Sequence, residues 1–181
     1  AADAPVGQNL RDYLDLDDTL FTLKITPNRT DCLSIKGIAR EVAALTGCAF
    51  VPQKITAAPV SGSLKTSVQI QSPEDCGRFL ARAISGVNAN APSPAWLVQR
   101  LERCGIRSIS ARVDIGNYVM MEIGQPMHVF DADKLSGCLI VRHAQNGETL
   151  QCLNDKTVTL SDNTLVIADE QKALSIAGMM V

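Results

Sequence analysis

An α+β architecture is the expectation for these 181 residues. Helical spacing recurs through the first two thirds, and short β-rich segments crowd the last third. The two kinds are segregated rather than alternating as regular βαβ units would. A strand–helix–strand unit over 19–57 is predicted first, then a mixed α/β domain with layered β-sheets and flanking helices.

The first unit opens on "LFTLKIT" (20–26), where Phe21, Leu23 and Ile25 alternate with Thr22, Lys24 and Thr26. That period of two predicts a half-buried strand. "PNRTD" breaks it, and a helix capped by Thr30 or Asp31 is expected next. Ile35, Ile38, Val42 and Leu45 follow at helical spacing, and Gly47 stands where a left-handed cap belongs. "FVPQKI" (50–55) completes the unit as a short strand. "AAPVSGSLK" (57–65) has linker composition, and "SVQIQ" (67–71) alternates as a strand. Residues 73–88 fit neither element well, since Gly77 weakens a helix there.

"SPAWLVQRLERCG" (93–105) predicts a helix with Ser93 as cap, Pro94 in its first turn and Gly105 at its end. Leu97, Leu101 and Cys104 share one face, and Arg100 and Arg103 lie off it. A second helix is expected from about Asp114 to Ile123, stopping at Gly124. "LIVRHA", "ETLQCL", "TVTL", "TLVIA" and "ALSIAG" then read as strands, with "NDKT" and "DEQK" as hairpin turns.

Apolar residues make up 46% of the chain, enough for a core, but aromatics only 4%, so Leu, Ile, Val and Ala must fill it. The net charge of −2 argues against nucleic-acid binding through charge alone. Arg100, Arg103, Arg107 and Arg112 are the local exception. No apolar run approaches the ~20 residues of a membrane span, and "AADAPVGQNLRDYL" lacks the regions of a signal peptide. A soluble, cytoplasmic protein without a membrane partner is expected. The missing initiator Met and the apolar end "IAGMMV" suggest a piece of a longer chain.

Six cysteines stand at 32, 48, 76, 104, 138 and 152 with no CxxC pair, and there are two histidines. Reduced, mostly buried thiols and no zinc or other metal site are expected. Neither GxxxxGK[ST], GxGxxG nor GxSxG occurs, which argues against a self-contained nucleotide or serine-hydrolase site.

His128, in "GQPMHVFDADKL" (124–135), is the leading candidate for chemistry. Pro126 biases Gln125 toward an extended conformation, so the preceding helix cannot run through. The imidazole then lies on an irregular segment, where it can orient water or hydrogen-bond a substrate. By pattern alone, the favoured reading of a lone histidine is structural, satisfying nearby backbone groups. His143 reads as surface or structural. Asn117 suits a buried polar role. Glu122, five residues on, does not share a tight helical face with it, and its alternative is solvent exposure. Arg107, just past a helix end, suits a cap or a phosphate contact.

"ITPNRTDCLSIKGIAREVAAL", "PSPAWLVQRLERCGIRSIS", "VDIGNYVMMEIGQPMHVFDADKLSG" and "TLVIADEQKALSIAGMMV" closely resemble bacterial phenylalanine–tRNA ligase beta subunits. The resemblance runs from about residue 2 to the end. It implies that 1–18 is the exit from an inserted OB-fold domain, 19–57 the second half of a B1-like domain, and 58–181 the first part of a B3/B4 domain. In the family B3/B4 is an editing domain that hydrolyses tyrosine wrongly attached to tRNA(Phe). The resemblance places His128 at the editing-site histidine and Asn117 at a pocket residue. Gln125, Pro126 and Met127 form the loop beside it, and Arg107 falls at the same edge.

The resemblance also implies an alpha-subunit partner in an (αβ)₂ heterotetramer, with tRNA(Phe) and phenylalanine or tyrosine as ligands. ATP and magnesium serve the parent enzyme on the alpha subunit, and no cofactor is expected on this stretch. Two departures matter. Relatives read "VDVTNYV" where this chain has "VDIGNYV", so Gly116 replaces a pocket threonine. The family's "AGxxGG" turn stops at Val181, so further pocket residues are expected beyond it. The alternative reading is a scaffold and tRNA-contacting module that hydrolyses nothing by itself.

Overall fold

The computed structural model describes residues 4–178. The terminal "MMV", where the expected glycine turn stops, lies outside them. The architecture is α+β, in two compact units: Ala1–Gln53 with Ala89–His128, and Lys54–Asn88 with Val129–Val181.

The first unit is helical. A short helix α1 (Leu10–Tyr13) begins at Asn9, whose side chain accepts the Arg11 N–H. The main helix α2 (Ile35–Thr46) is capped by Ser34, not by Thr30 or Asp31. Those two residues instead lie in a separate 3-10 turn, Thr30–Cys32. The reason is steric as well as polar. Gly37, in the first turn of α2, packs so closely that a β-carbon there would collide with the Asp31 carbonyl oxygen. A continuous helix from Thr30 would not allow this fold-back. At the other end Gly47 takes the left-handed conformation (φ 72°) and donates to Ala43 O, as expected.

Helix α3 (Ala95–Arg103) buries Leu97 and Leu101. Pro94 is its cap residue and makes no side-chain cap bond. The expected cap, Ser93, turns its hydroxyl to Asp114 instead. Cys104 lies past the last helical residue and is exposed, so it does not join the Leu97–Leu101 face. Helix α4 (Ala111–Ile123) starts three residues earlier than expected and packs against α2 and α3.

Neither 20–26 nor 50–55 forms a strand. Phe21 is 81% exposed, so its alternating pattern finds no surface to cover. A strand is defined by its ladder, and no described segment supplies one to these backbones. Residues 73–88 likewise form only turns and bends.

The second unit carries the sheets. Strands β1 (Val68–Ile70), β2 (Leu139–His143), β5 (Leu165–Ala168) and β6 (Ala173–Ile176) form one sheet in the order β1-β2-β5-β6. The β1–β2 pair is parallel, with Val68 opposite Leu139, and the others are antiparallel. Strands β3 (Thr149–Gln151) and β4 (Thr157–Thr159) form a second, two-stranded sheet. β3 packs near β6, and Leu150 and Leu160 share a core with Ala144, Val166, Ala168 and Ala173. The "NDKT" hairpin forms because Asn154 accepts the Lys156 N–H and Asp155 tolerates a φ of 62°.

Two carboxylates organise this unit, Asp169 buried and Glu148 mostly buried. Asp169 accepts the N–H groups of Gln171 and Lys172 within the β5–β6 turn, and that of Ser136 from the segment before β2. Burial pushes its carboxyl up, but those bonds outweigh it and the net direction is down. Glu148 meets Arg142 of β2 through two 2.8 Å bonds and also accepts the N–H groups of Gln145 and Ala173.

Among the described residues no helix is long and apolar enough to cross a membrane. All six cysteines are free thiols; Cys32, Cys138 and Cys152 are buried, whereas Cys48 and Cys104 are exposed. Burial of the thiols is therefore less general than expected.

Candidate functional site

The candidate residues Arg107, Asn117, Gln125, Pro126, Met127 and His128 all belong to the first unit. Their placement begins with Asp114, a residue the sequence reading passed over. It is fully buried in the first turn of α4. Its carboxylate accepts Ser93 Oγ, Ser108 Oγ at 2.6 Å and Ile109 N at 2.9 Å. One side chain thus joins the entry to α3, the α3–α4 connector and the start of α4. Burial pushes the Asp114 carboxyl up, but the bonds from Ser108, Ser93 and the backbone bring it below the usual range. An acidic residue in a helix's first turn was the available signal. Its donors, up to 21 residues away, were not visible in the sequence.

Arg107 is exposed on the same connector. Asn117 lies one turn beyond Asp114 and is buried with it in α4. Glu122 is only half-buried. The helix then ends where expected, with Gly124 in the left-handed conformation (φ 81°). Gln125, Pro126, Met127 and His128 follow as an irregular, exposed segment. The Gln125 side chain folds back to donate to Pro126 O. The segment returns to α4 at Gly116, where a built β-carbon would lie 3.8 Å from Met127 O. So Met127 and α4 are brought together, whereas Asn117 is buried and His128 exposed.

That 3.8 Å separation is ordinary contact, so position 116 has room for a side chain. Gly116→Ala is expected to raise stability by about 0.5–1 kcal/mol, the usual gain at a helix interior. Thermal denaturation checks this, with a rise of about 1–4 °C expected for a chain of this size.

His143 serves structure. Its Nε2 bonds Asp75 Oδ2 at 2.9 Å, joining β2 to the turn after β1. Among the described residues, Asp31, Cys32 and Glu41 bring potential metal-ligand atoms together. Arg29 already serves this cluster, bonding Asp31, Glu41 and the Cys32 sulfur. Glu41 and Asp31 hold the guanidinium more firmly protonated than usual, and burial pushes the Cys32 thiol up. A metal would need that thiol deprotonated and Arg29 displaced. A shallow depression lined by Arg11, Asp17, Asp18 and Thr19 contains none of the candidate residues. The Arg11–Asp17 ion pair fills part of it, which makes it a poorer setting for chemistry than the loop after α4.

With sheets in one unit and helices in the other, the described residues make the chain an α+β protein. A B3/4 domain model matches residues 75–181, and the chain belongs to that family. Across 178 residues it is 73% identical to the phenylalanine–tRNA ligase beta subunit of Neisseria gonorrhoeae and 72% identical to that of Neisseria meningitidis serogroup B. Each alignment covers 98% of this chain and 23% of the relative. The beta subunit of Chromobacterium violaceum is 60% identical over 181 residues, 99% of this chain and 23% of its own length. The chain therefore spans 23% of the length of these curated relatives.

Proposed function

We propose that this chain is part of a phenylalanine–tRNA ligase beta subunit and contributes to an editing site that hydrolyses Tyr-tRNA(Phe). The observation that carries the proposal is the loop after α4. Helix α4, anchored by the buried Asp114 and Asn117, stops at Gly124 and leads into an exposed segment that carries His128. High identity to named beta subunits over nearly the whole chain supports the same reading.

The chemistry explains the need. Tyrosine is phenylalanine plus a hydroxyl, and an apolar pocket rejects such an analogue only about a hundredfold. A second site that hydrogen-bonds the hydroxyl discriminates further, because phenylalanine leaves its polar groups unpaired. In this reading His128 positions the ester or the attacking water. Asn117, Gln125, Pro126 and Met127 shape the surroundings, and Arg107 meets the tRNA backbone at the same edge. Hydrolysis needs orientation more than a strong side-chain base. The parent's aminoacylation, with ATP and magnesium, is assigned to an alpha subunit in an (αβ)₂ assembly in the cytoplasm. Residues 1–18, 19–57 and 58–181 are assigned to an OB-fold exit, a B1-like half and a B3/B4 portion.

Replacing His128 by Ala in the complete ligase tests this. Deacylation of Tyr-tRNA(Phe) is expected to fall by about 10²-fold or more, with aminoacylation retained. Unchanged deacylation would reject the assignment of His128. The exposure of His128 favours a second reading for the isolated chain, a scaffold and tRNA-contacting module without hydrolysis of its own. Deacylation by the chain alone would reject that.

A further inference from the structure

We propose that Ser34, far from the candidate loop in sequence, is a positioning residue for it; this rests on the editing reading above. Ser34 is buried and its Oγ accepts the Gly37 N–H at 3.0 Å, capping α2. The same side chain lies against the turn that ends α4. A β-carbon built on Gly124 would stand 3.3 Å from Ser34 Oγ and 3.4 Å from Ser34 Cβ. Gly124 is favoured by its φ of 81°, and any side chain there would also press on Ser34.

The consequence concerns the next four residues. Gly124 is held from behind by its N–H bond to Met120 O at 2.9 Å and from the side by Ser34. Three residues on, Met127 O approaches Gly116 on α4. The backbone entering His128 therefore starts from a turn flanked by α2's cap and passes near α4 at Met127. Ser34 cannot shift freely, because Gly37 is pressed against the Asp31 carbonyl. The start of α2 is a fixed stop for the Gly124 turn. Small displacements of a positioning loop cost rate out of proportion to their size.

Two substitutions separate capping from positioning. Asn caps a helix as well as Ser but is larger, so Ser34→Asn keeps the cap and pushes on Gly124. Ser34→Ala removes the cap hydroxyl and keeps the β-carbon contact. In the complete ligase, Ser34→Asn is expected to lower kcat for Tyr-tRNA(Phe) deacylation by about tenfold or more, with KM little changed and aminoacylation intact. Ser34→Ala is expected to lower the melting temperature yet keep deacylation within about twofold. The reverse ranking, with Ala as damaging as Asn, would show that only the cap matters and overturn the proposal. His128→Ala serves as the control. If it is silent, the assignment of His128 and this proposal fall together, while hydrolysis at the site itself still stands. If it is damaging while Ser34→Asn is silent, this proposal falls alone.

Discussion

Asp114→Ala is expected to cost about 4 kcal/mol of the first unit's stability, more than loss of any exposed side chain. The carboxylate is fully buried and gathers Ser93, Ser108 and the Ile109 N–H. Removing it leaves the half-buried Ser93 and Ser108 hydroxyls and the Ile109 N–H without their acceptor. Each such orphan costs about 1–3 kcal/mol. Asn in its place keeps the shape but brings an NH₂ donor among donors, so Asp114→Asn should recover only part of the loss. Trp96, the single tryptophan, lies on α3 and reports this unit. It stacks edge-on to Tyr118 of α4 with centroids 5.4 Å apart. Its fluorescence during urea denaturation follows the α3–α4 pair that Asp114 joins. A midpoint equal to wild type would show that the cluster contributes no net stability.

Glu148→Gln should weaken the second unit by about 3 kcal/mol at neutral pH and remove an acid-dependent part of its stability. The Arg142 hydrogen bonds are the main reason that the Glu148 carboxyl is held down from 4.5 to about 2, against burial. A carboxyl whose folded pKa lies below its unfolded value stabilises when ionised. The contribution is full above about 4.5 and is lost as pH falls from there through about 2. Both side chains are mostly buried, at 15% and 14% exposed, so salt screens the pair little. Asp169 shifts in the same direction and adds to this unit's acid lability, and Asp114 does the same for the first unit. Amide hydrogen exchange at β2 and β6, compared at pH 7 and pH 4, reads this unit directly. Wild type should lose protection on acidification, and Glu148→Gln should start lower and change less. Equal slopes in the two proteins would mean that Glu148 is not the group titrating.

The C-terminal strands were legible because each carries its own evidence. "TLVIA" and "ALSIAG" combine β-branched residues with a turn at "DEQK", and the structure pairs Val166 with Ile176. Helix stops at Gly47 and Gly124 were equally local, since a left-handed residue at a helix end favours glycine. The same alternation in "LFTLKIT" misled, because side-chain period says nothing about whether a partner backbone is available. Ser93 misled for a related reason. Its hydroxyl had two acceptable fates, the α3 cap or Asp114, and only packing selected one.

By itself the sequence determined the α+β class, the helix stops at Gly47 and Gly124, the turn residues and a histidine placed just beyond a helix stop. These follow from rules that act within about one turn or one hairpin. Only the tertiary structure decided that Ser34 caps α2, that Ser34 would crowd a side chain at Gly124, that Asp114 joins the α3–α4 connection, and that Glu148 ties β2 to β6. Each depends on groups brought together across the chain, where burial makes a hydrogen bond or a close approach decisive. Local pattern carries no record of such partners.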